Sequence, residues 1–210
     1  MNKILASKWT KALVFIACLE PAAELTWQFY KDALGANPVE RLEHKTGDWT
    51  IWFLLICLGI TPARRLLNMP VLIRYRRMFG LYAFFYGCAH MTMYIWVDQG
   101  LDWAALWKDL YKRPFVMAGA TGILLMLPLA LTSTAWSIRR LGGRNWQRLH
   151  RLVYFAALAG VIHYYWLVKS DITLPLLNGA ILLVWMSIRA YYWWKPKAQR
   201  SNEKTAPSVG

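Results

Sequence analysis

The sequence predicts an all-α membrane protein, a bundle of six transmembrane helices with both termini in the cytoplasm. Hydrophobic residues make up 57% of the 210-residue chain, and 13 residues are tryptophan. The apolar residues form several long runs, and a helix needs about 20 apolar residues to cross the hydrocarbon core of a bilayer. A soluble domain could not bury all of these runs in one core.

The positions of the basic residues predict the orientation of the chain. The net charge is +14. Most Lys and Arg residues, with Glu203 as the only acid, lie in the segments 3–11, 64–77, 139–151 and 189–204. These segments alternate with less basic connections, and cytoplasmic connections of membrane proteins are enriched in Lys and Arg. The alternation therefore places both termini inside and disfavours a nucleic-acid-binding surface as the reason for the charge.

Three regions follow from this pattern. We expect a cytoplasmic N-terminus at residues 1–11, the transmembrane domain at residues 12–194 and a polar, disordered cytoplasmic tail at residues 195–210. The first span is predicted at residues 12–30, where Glu20 and its neighbours interrupt an apolar run that then continues. This continuation favours an uncleaved span over a signal peptide.

The other five spans follow in order along the chain. The fourth contains Pro128, which predicts a kink whose freed carbonyls the hydroxyls of residues 132–134 could help satisfy. The connection at residues 98–113 is amphipathic and predicts a short interfacial helix on the outer side. The spans are predicted at residues 49–63 (beginning near His44), 78–97, 114–136, 149–168 and 172–194.

Two of the four histidines are predicted at matching depth in the membrane. His90 lies 12 residues into the third span and His163 lies 14 residues into the fifth, which is roughly 18 Å and 21 Å from the cytoplasmic side at about 1.5 Å per residue. Ionisable residues inside a bilayer are costly and usually functional. Two imidazoles at one depth on different helices are what the axial ligation of a b-type heme requires, whereas structural hydrogen bonding between helices is the alternative.

His150 and His44 are weaker candidates. His150 precedes His163 by 13 residues, so the two side chains point about 140° apart on a straight helix. His150 also lacks a partner at its own depth, because His44 opens the second span on the opposite side of the membrane. A second heme ligand, a residue at the edge of a cofactor and a structural interfacial histidine all remain open for His150.

The chain contains no recognisable nucleotide-binding motif and no soluble segment long enough for a flavin or nicotinamide domain. An electron-transfer protein of this kind would therefore use donors and acceptors in other molecules. One alternative is a cytochrome b561-like or ferric reductase-like protein with a small-molecule acceptor. Another is a small proton-coupled transporter, in which the histidines would act with Glu20 and Glu24.

Several motifs together resemble the MsrQ family, formerly YedZ, of the ferric-reductase-like transmembrane superfamily. The resemblance covers almost the whole chain except the tail. It rests on GANP at 35–38, HKTG at 44–47, ITPAR at 60–64, LIRYRR at 72–77 with Gly80-Leu81 and His90, LG at 141–142, WQRLHRLVY at 146–154 and HY at 163–164.

The resemblance implies a heme-binding subunit of a methionine sulfoxide reductase system in the bacterial inner membrane. Such a subunit takes electrons from the quinone pool or a cytosolic flavin reductase and passes them to a periplasmic molybdopterin enzyme, the MsrP-like methionine sulfoxide reductase. The heme ligands of the family correspond to His90 and His163, and His150 is a further family histidine. The resemblance also implies bound FMN, without indicating which residues bind it, and it carries no role for Glu20 or Glu24.

Overall fold

Helices form every regular element in residues 2–205, the part of the chain that the computed structural model describes, with side chains described for residues 4–194. A 3₁₀-helix (Pro70–Leu72) precedes the α-helix that begins at Ile73, and a π-helix (Met93–Asp98) follows that α-helix. The α-helices are α1 (Asn2–Ala6), α2 (Lys8–Ala17), α3 (Glu20–Tyr30), α4 (Pro38–Leu66), α5 (Ile73–Thr92), α6 (Trp103–Lys112), α7 (Pro114–Leu131), α8 (Ala135–Leu141), α9 (Gly143–Leu149), α10 (Leu152–Leu167) and α11 (Thr173–Thr205).

Among the described residues, four helical segments are long and apolar enough to cross a membrane. They are Lys8–Tyr30, which joins α2 and α3, Pro38–Leu66, Pro114–Leu131 and Thr173–Trp194. These segments correspond to the first, second, fourth and sixth predicted spans. The helices of the other two predicted spans do not qualify by length and composition, since α10 has only 16 residues and α5 begins with three arginines in its first five residues. The structure therefore supports an all-α membrane protein with four candidate spans.

The first candidate span is broken at Cys18 and Leu19, where α2 ends and α3 begins. The Tyr86 hydroxyl of α5 enters this break: it donates to the Cys18 carbonyl at 2.9 Å and accepts from the Ala22 amide at 3.1 Å. A continuous helix would join these two backbone groups directly. Tyr82 and Tyr75 of α5 also donate to carbonyls of the N-terminal helices, those of Phe15 and Leu5.

The predicted bounds of the second, third and fourth spans differ from those of the helices, and α5 begins at Ile73, five residues before the span predicted from residue 78. Helix α4 begins at Pro38, well before His44, because Asn37 caps it by accepting from the Glu40 amide and proline fits the first turn of a helix. Helix α7 ends at Leu131 instead of continuing to residue 136.

The hydroxyls near Pro128 act differently from the prediction. Thr132 Oγ1 donates to the Pro128 carbonyl and Ser133 Oγ to the Leu129 carbonyl, both at 2.6 Å. The carbonyl that Pro128 deprives of its amide donor is that of the residue four positions earlier, Leu124. The hydroxyls therefore satisfy the last carbonyls of α7 and do not repair a proline kink.

Four helices form the central bundle. Helix α4 packs along α5 and α7 along α10, with further contacts from α5 to α7 and from α10 to α4; α11 packs on α4 and α10. Aromatic rings fill the interface of α4 and α5, where Phe53 stacks on Tyr86 with centroids 5.3 Å apart. Many large apolar side chains face outward, such as Leu124 and Leu131, which are 66% and 68% exposed. Such an exposed apolar surface fits a lipid environment.

The short helix predicted in the connection at residues 98–113 is present as α6, and Asp102 caps it by accepting from the amides of Ala104 and Ala105. At the other end of the chain, α11 continues to Thr205. It thus enters the segment predicted as a disordered tail. Residues 206–210 of that tail lie outside the described residues.

Candidate functional site

The candidate site lies in the central bundle, between the last turns of α5 and α10. His90 of α5 and His163 of α10 face each other there, with ring centroids 6.0 Å apart and ring planes at 72°. The structure therefore brings together the two histidines that the sequence predicts at matching depth. The role of the two residues as iron ligands stays a prediction.

Each of these imidazoles hydrogen-bonds to a backbone carbonyl of a neighbouring helix. His90 Nδ1 lies 2.9 Å from the Glu43 carbonyl oxygen of α4, and His163 Nδ1 lies 2.7 Å from the Phe115 carbonyl oxygen of α7. A carbonyl oxygen only accepts, so Nδ1 is the protonated nitrogen in both rings. Nε2 of each neutral ring then keeps its lone pair for a metal ion.

The separation of the two rings fits axial ligation of one metal ion. A transition metal binds an imidazole nitrogen at about 2.0–2.1 Å, and this nitrogen lies about 1.1 Å from the ring centroid, so two opposed ligand rings have centroids about 6.3 Å apart. The observed distance is 6.0 Å. The separation of the two rings would therefore allow both residues to bind one metal ion.

The donor set suits heme iron better than a metal ion bound by protein alone. No cluster of three or more His, Cys, Asp or Glu side chains that could hold a metal occurs in the described part of the chain. A structural or catalytic zinc site takes three or four protein ligands. Iron in a porphyrin receives four ligands from the macrocycle and needs only axial residues from the protein.

His150 is held in a different environment, in the turn between α9 and α10. Its ring stacks on Trp146, with centroids 3.8 Å apart, and its Nε2 lies 3.1 Å from Thr132 Oγ1. Thr132 Oγ1 already donates its only proton to the Pro128 carbonyl, so His150 Nε2–H is the donor to Thr132. The protonated Nε2 is thus hydrogen-bonded to Thr132 at the end of α7. His150 does not join the His90–His163 pair.

The other polar candidates lie away from the pair. His44 is exposed on α4, and Glu20 and Glu24 are exposed on α3. Glu24 Oε1 accepts a hydrogen bond from Gln28 Nε2 at 2.7 Å. The structure therefore does not bring the two glutamates to the histidines, as a proton relay would require.

Sequence reasoning missed the carbonyl groups of Glu43 and Phe115. Both act through the backbone, so the residue type at these positions gives no signal of the role. The Glu43 side chain also has a buried carboxylate oxygen, Oε1, for which the structure shows no hydrogen-bond partner. The earlier start of α4 could have drawn attention to this turn, because it makes residues 38–48 part of the bundle.

Comparison with known proteins links this geometry to a family. Residues 41–161 match the family model described as ferric reductase like transmembrane component. The matched region contains His90 and His150 and ends two residues before His163.

Several curated proteins are similar over nearly the full length. The chain is 44% identical over 193 residues, 91% of this chain and 88% of the relative, to a protein of Herminiimonas arsenicoxydans named protein-methionine-sulfoxide reductase heme-binding subunit MsrQ. Proteins with the same name from Caulobacter vibrioides and Xanthomonas oryzae pv. oryzae are 44% and 47% identical, covering 93% and 94% of this chain and 90% and 92% of their own lengths.

Proposed function

The chain belongs to the MsrQ family of ferric-reductase-like transmembrane proteins, and from that premise we propose that it is a heme-carrying electron-transfer subunit. The observation that carries the proposal is the His90–His163 pair, with centroids 6.0 Å apart and both Nδ1 atoms bonded to carbonyls. This arrangement leaves two Nε2 atoms for one iron, and the heme-binding names of the relatives agree with it.

The protein's own contribution is to hold and orient the ligands. A hydrogen bond from the far nitrogen of an imidazole fixes its tautomer and ring orientation and makes the ligating nitrogen more basic. The Glu43 and Phe115 carbonyls would act in this way on His90 and His163. A heme bound there supplies one-electron chemistry in an apolar setting.

The proposed topology has six spans with both termini in the cytoplasm of a bacterial cell and the domain in its inner membrane. Helices α5 and α10 pack lengthwise against α4 and α7, which qualify as spans themselves. A polypeptide at this depth must satisfy its backbone hydrogen bonds internally, and helices packed beside spanning helices meet that need. The alternation of basic connections sets the orientation.

The proposed electron path runs through other molecules at both ends. Electrons come from the quinone pool or a cytosolic flavin reductase and leave to a periplasmic molybdopterin methionine sulfoxide reductase, which carries out sulfoxide reduction and so repairs oxidised periplasmic proteins. FMN, which the family resemblance implies, belongs to the proposal as a further cofactor without assigned residues.

Two measurements on the purified protein test this function. We expect a Soret band from protein expressed with sufficient heme, and its absence would exclude the heme-carrying function. We further expect the dithionite-reduced protein to be fully reoxidised by a catalytic amount of a periplasmic methionine sulfoxide reductase together with an excess of a sulfoxide substrate, and to remain reduced with the sulfoxide alone.

The description of the matching family favours one competing function, a ferric reductase-like protein with a small-molecule acceptor. The reoxidation assay separates the two. Rapid reoxidation by a soluble ferric chelate, combined with no response to the sulfoxide reductase, would support the competing function and contradict ours.

A further inference from the structure

Each histidine of the pair rests against a glycine in the neighbouring helix. A Cβ atom built on Gly47 of α4 would lie 3.3 Å from both Cε1 and Nδ1 of His90. A Cβ atom built on Gly119 of α7 would lie 2.8 Å from Nδ1 and 3.0 Å from Cε1 of His163. The same edge of both rings thus lies where a side chain would otherwise begin.

The two contacts share one register. The carbonyl that accepts from His90 belongs to Glu43, four residues before Gly47, and the carbonyl that accepts from His163 belongs to Phe115, four residues before Gly119. Residues four apart lie one above the other on the same face of a helix. Helices α4 and α7 therefore present the same pair of contacts to a histidine ring. Each offers a carbonyl that accepts a hydrogen bond and, one turn further along, a glycine without a side chain.

We propose that Gly47 and Gly119 are positioning residues for the ligand imidazoles. The inference rests on the proposed heme site. With hydrogen in place of a side chain, the Nδ1–Cε1 edge of each ring can lie flat against the helix and reach the carbonyl. Nε2, on the other side of Cε1 from Nδ1, then remains available to the iron.

The two glycines differ in how tightly they fit. A separation of 2.8 Å at Gly119 is shorter than real Cβ contacts, so an added methyl group must displace the His163 ring or separate α7 from α10. At Gly47 the separation of 3.3 Å requires a shift of only a few tenths of an ångström. A methyl group added at Gly119 should therefore disturb His163 more than one added at Gly47 disturbs His90.

Helix packing alone would be a competing explanation for these glycines, and the chain offers a distance-matched control for Gly47 and a control on the same helix for Gly119. Gly122 lies one turn after Gly119 on α7, and its Cβ would meet Ala156 and Ala159 at ordinary distances of 3.6 and 3.8 Å. Gly80 would place its Cβ at 3.3 Å, the same distance as Gly47, but from Cys57 Sγ. Each control makes the same gain in helix propensity without touching a histidine.

The test uses the full-length purified protein with Gly119→Ala, Gly47→Ala, Gly122→Ala, Gly80→Ala and His163→Ala. The readouts are heme per chain, the ferric EPR spectrum, the midpoint potential and the elution profile as a check on folding. We expect Gly119→Ala to weaken heme binding by roughly 10-fold or more, the usual effect of changing a group that orients a metal ligand. Gly47→Ala should retain heme with a changed EPR spectrum and potential, and both controls should match wild type.

The outcomes separate this inference from the proposed function. Loss of heme in His163→Ala, with Gly119→Ala equal to Gly122→Ala and Gly47→Ala equal to Gly80→Ala, would overturn the role of the glycines and leave the heme site standing. Full heme in His163→Ala would overturn the heme site itself. If Gly119→Ala does not fold, the comparison of Gly47→Ala with Gly80→Ala decides: equal spectra and potentials contradict the proposal.

Discussion

The planes of the His90 and His163 rings meet at 72°, and this angle predicts a spectroscopic property. Axial imidazoles in nearly perpendicular planes interact with different iron d orbitals, so these orbitals stay close in energy. We expect the ferric protein to give a highly anisotropic low-spin EPR signal. A rhombic signal of the kind produced by parallel ligand planes would show that the rings adopt a different orientation around the iron.

Arg189 of α11 compensates for a proline in α4. Pro62 has no amide hydrogen, so the Leu58 carbonyl lacks its helical donor, and Arg189 Nη2 donates to that carbonyl at 2.6 Å. Arg189 Nη1 also donates to the Tyr154 hydroxyl of α10. The side chain thus joins three helices.

We expect Arg189→Met to lower the free energy of unfolding by about 1–3 kcal/mol, because the Leu58 carbonyl loses its donor in the interior. The change is read as a lower midpoint of thermal unfolding. In a Pro62→Ala background the helix supplies its own amide donor, so the same substitution should cost less. Equal losses in both backgrounds would contradict this role of Arg189.

At the scale of elements, Tyr86 is the main contact between α5 and the broken first span. Its hydroxyl hydrogen-bonds to both the Cys18 carbonyl and the Ala22 amide, whereas the Tyr82 hydroxyl hydrogen-bonds to the Phe15 carbonyl. Tyr86→Phe would leave an amide and a carbonyl without partners at a side chain that is only 1% exposed. We expect it to lower the thermal midpoint more than Tyr82→Phe does, with about 1–3 kcal/mol lost per unsatisfied group. Matching midpoints would show that the break is held by other contacts.

The elements also show how far helix boundaries can be predicted from this sequence. Apolar runs predicted the positions of the helices, because burial in lipid depends on composition over many residues. They did not predict that α4 begins at Pro38, since its first turns are polar and depend on the cap at Asn37. The break at Cys18 was also hidden, because it is stabilised by Tyr86 from a helix that lies far away in sequence.

For the candidate site, depth along the predicted helices singled out His90 and His163, and the structure brings these two residues together. The sequence could not predict the carbonyl and glycine contacts that α4 and α7 make with the two rings. The acceptors are backbone carbonyls, and the proposed role of Gly119 depends on its contact with the His163 ring of α10. Such contacts follow from the packing of helices and leave no local pattern.

At the scale of the whole molecule, the orientation of the chain is open to a direct test. The proposed six spans with the basic connections inside would place both termini in the cytoplasm. We expect green fluorescent protein to fluoresce when fused to either terminus, and alkaline phosphatase to be active when inserted in the connection at residues 98–113. A fluorescent fusion at one terminus only would indicate an odd number of spans and contradict the topology.

Heme per chain in single histidine variants tests most directly whether His90 and His163 hold the heme. His90→Ala and His163→Ala should each lose most of the heme, because each removes one of the two opposed Nε2 donors. His150→Ala should keep a substantial fraction, since its ring is bound to Trp146 and Thr132, and the exposed His44→Ala should match wild type. Equal loss of heme in the variants of His90, His163 and His150 would contradict the account.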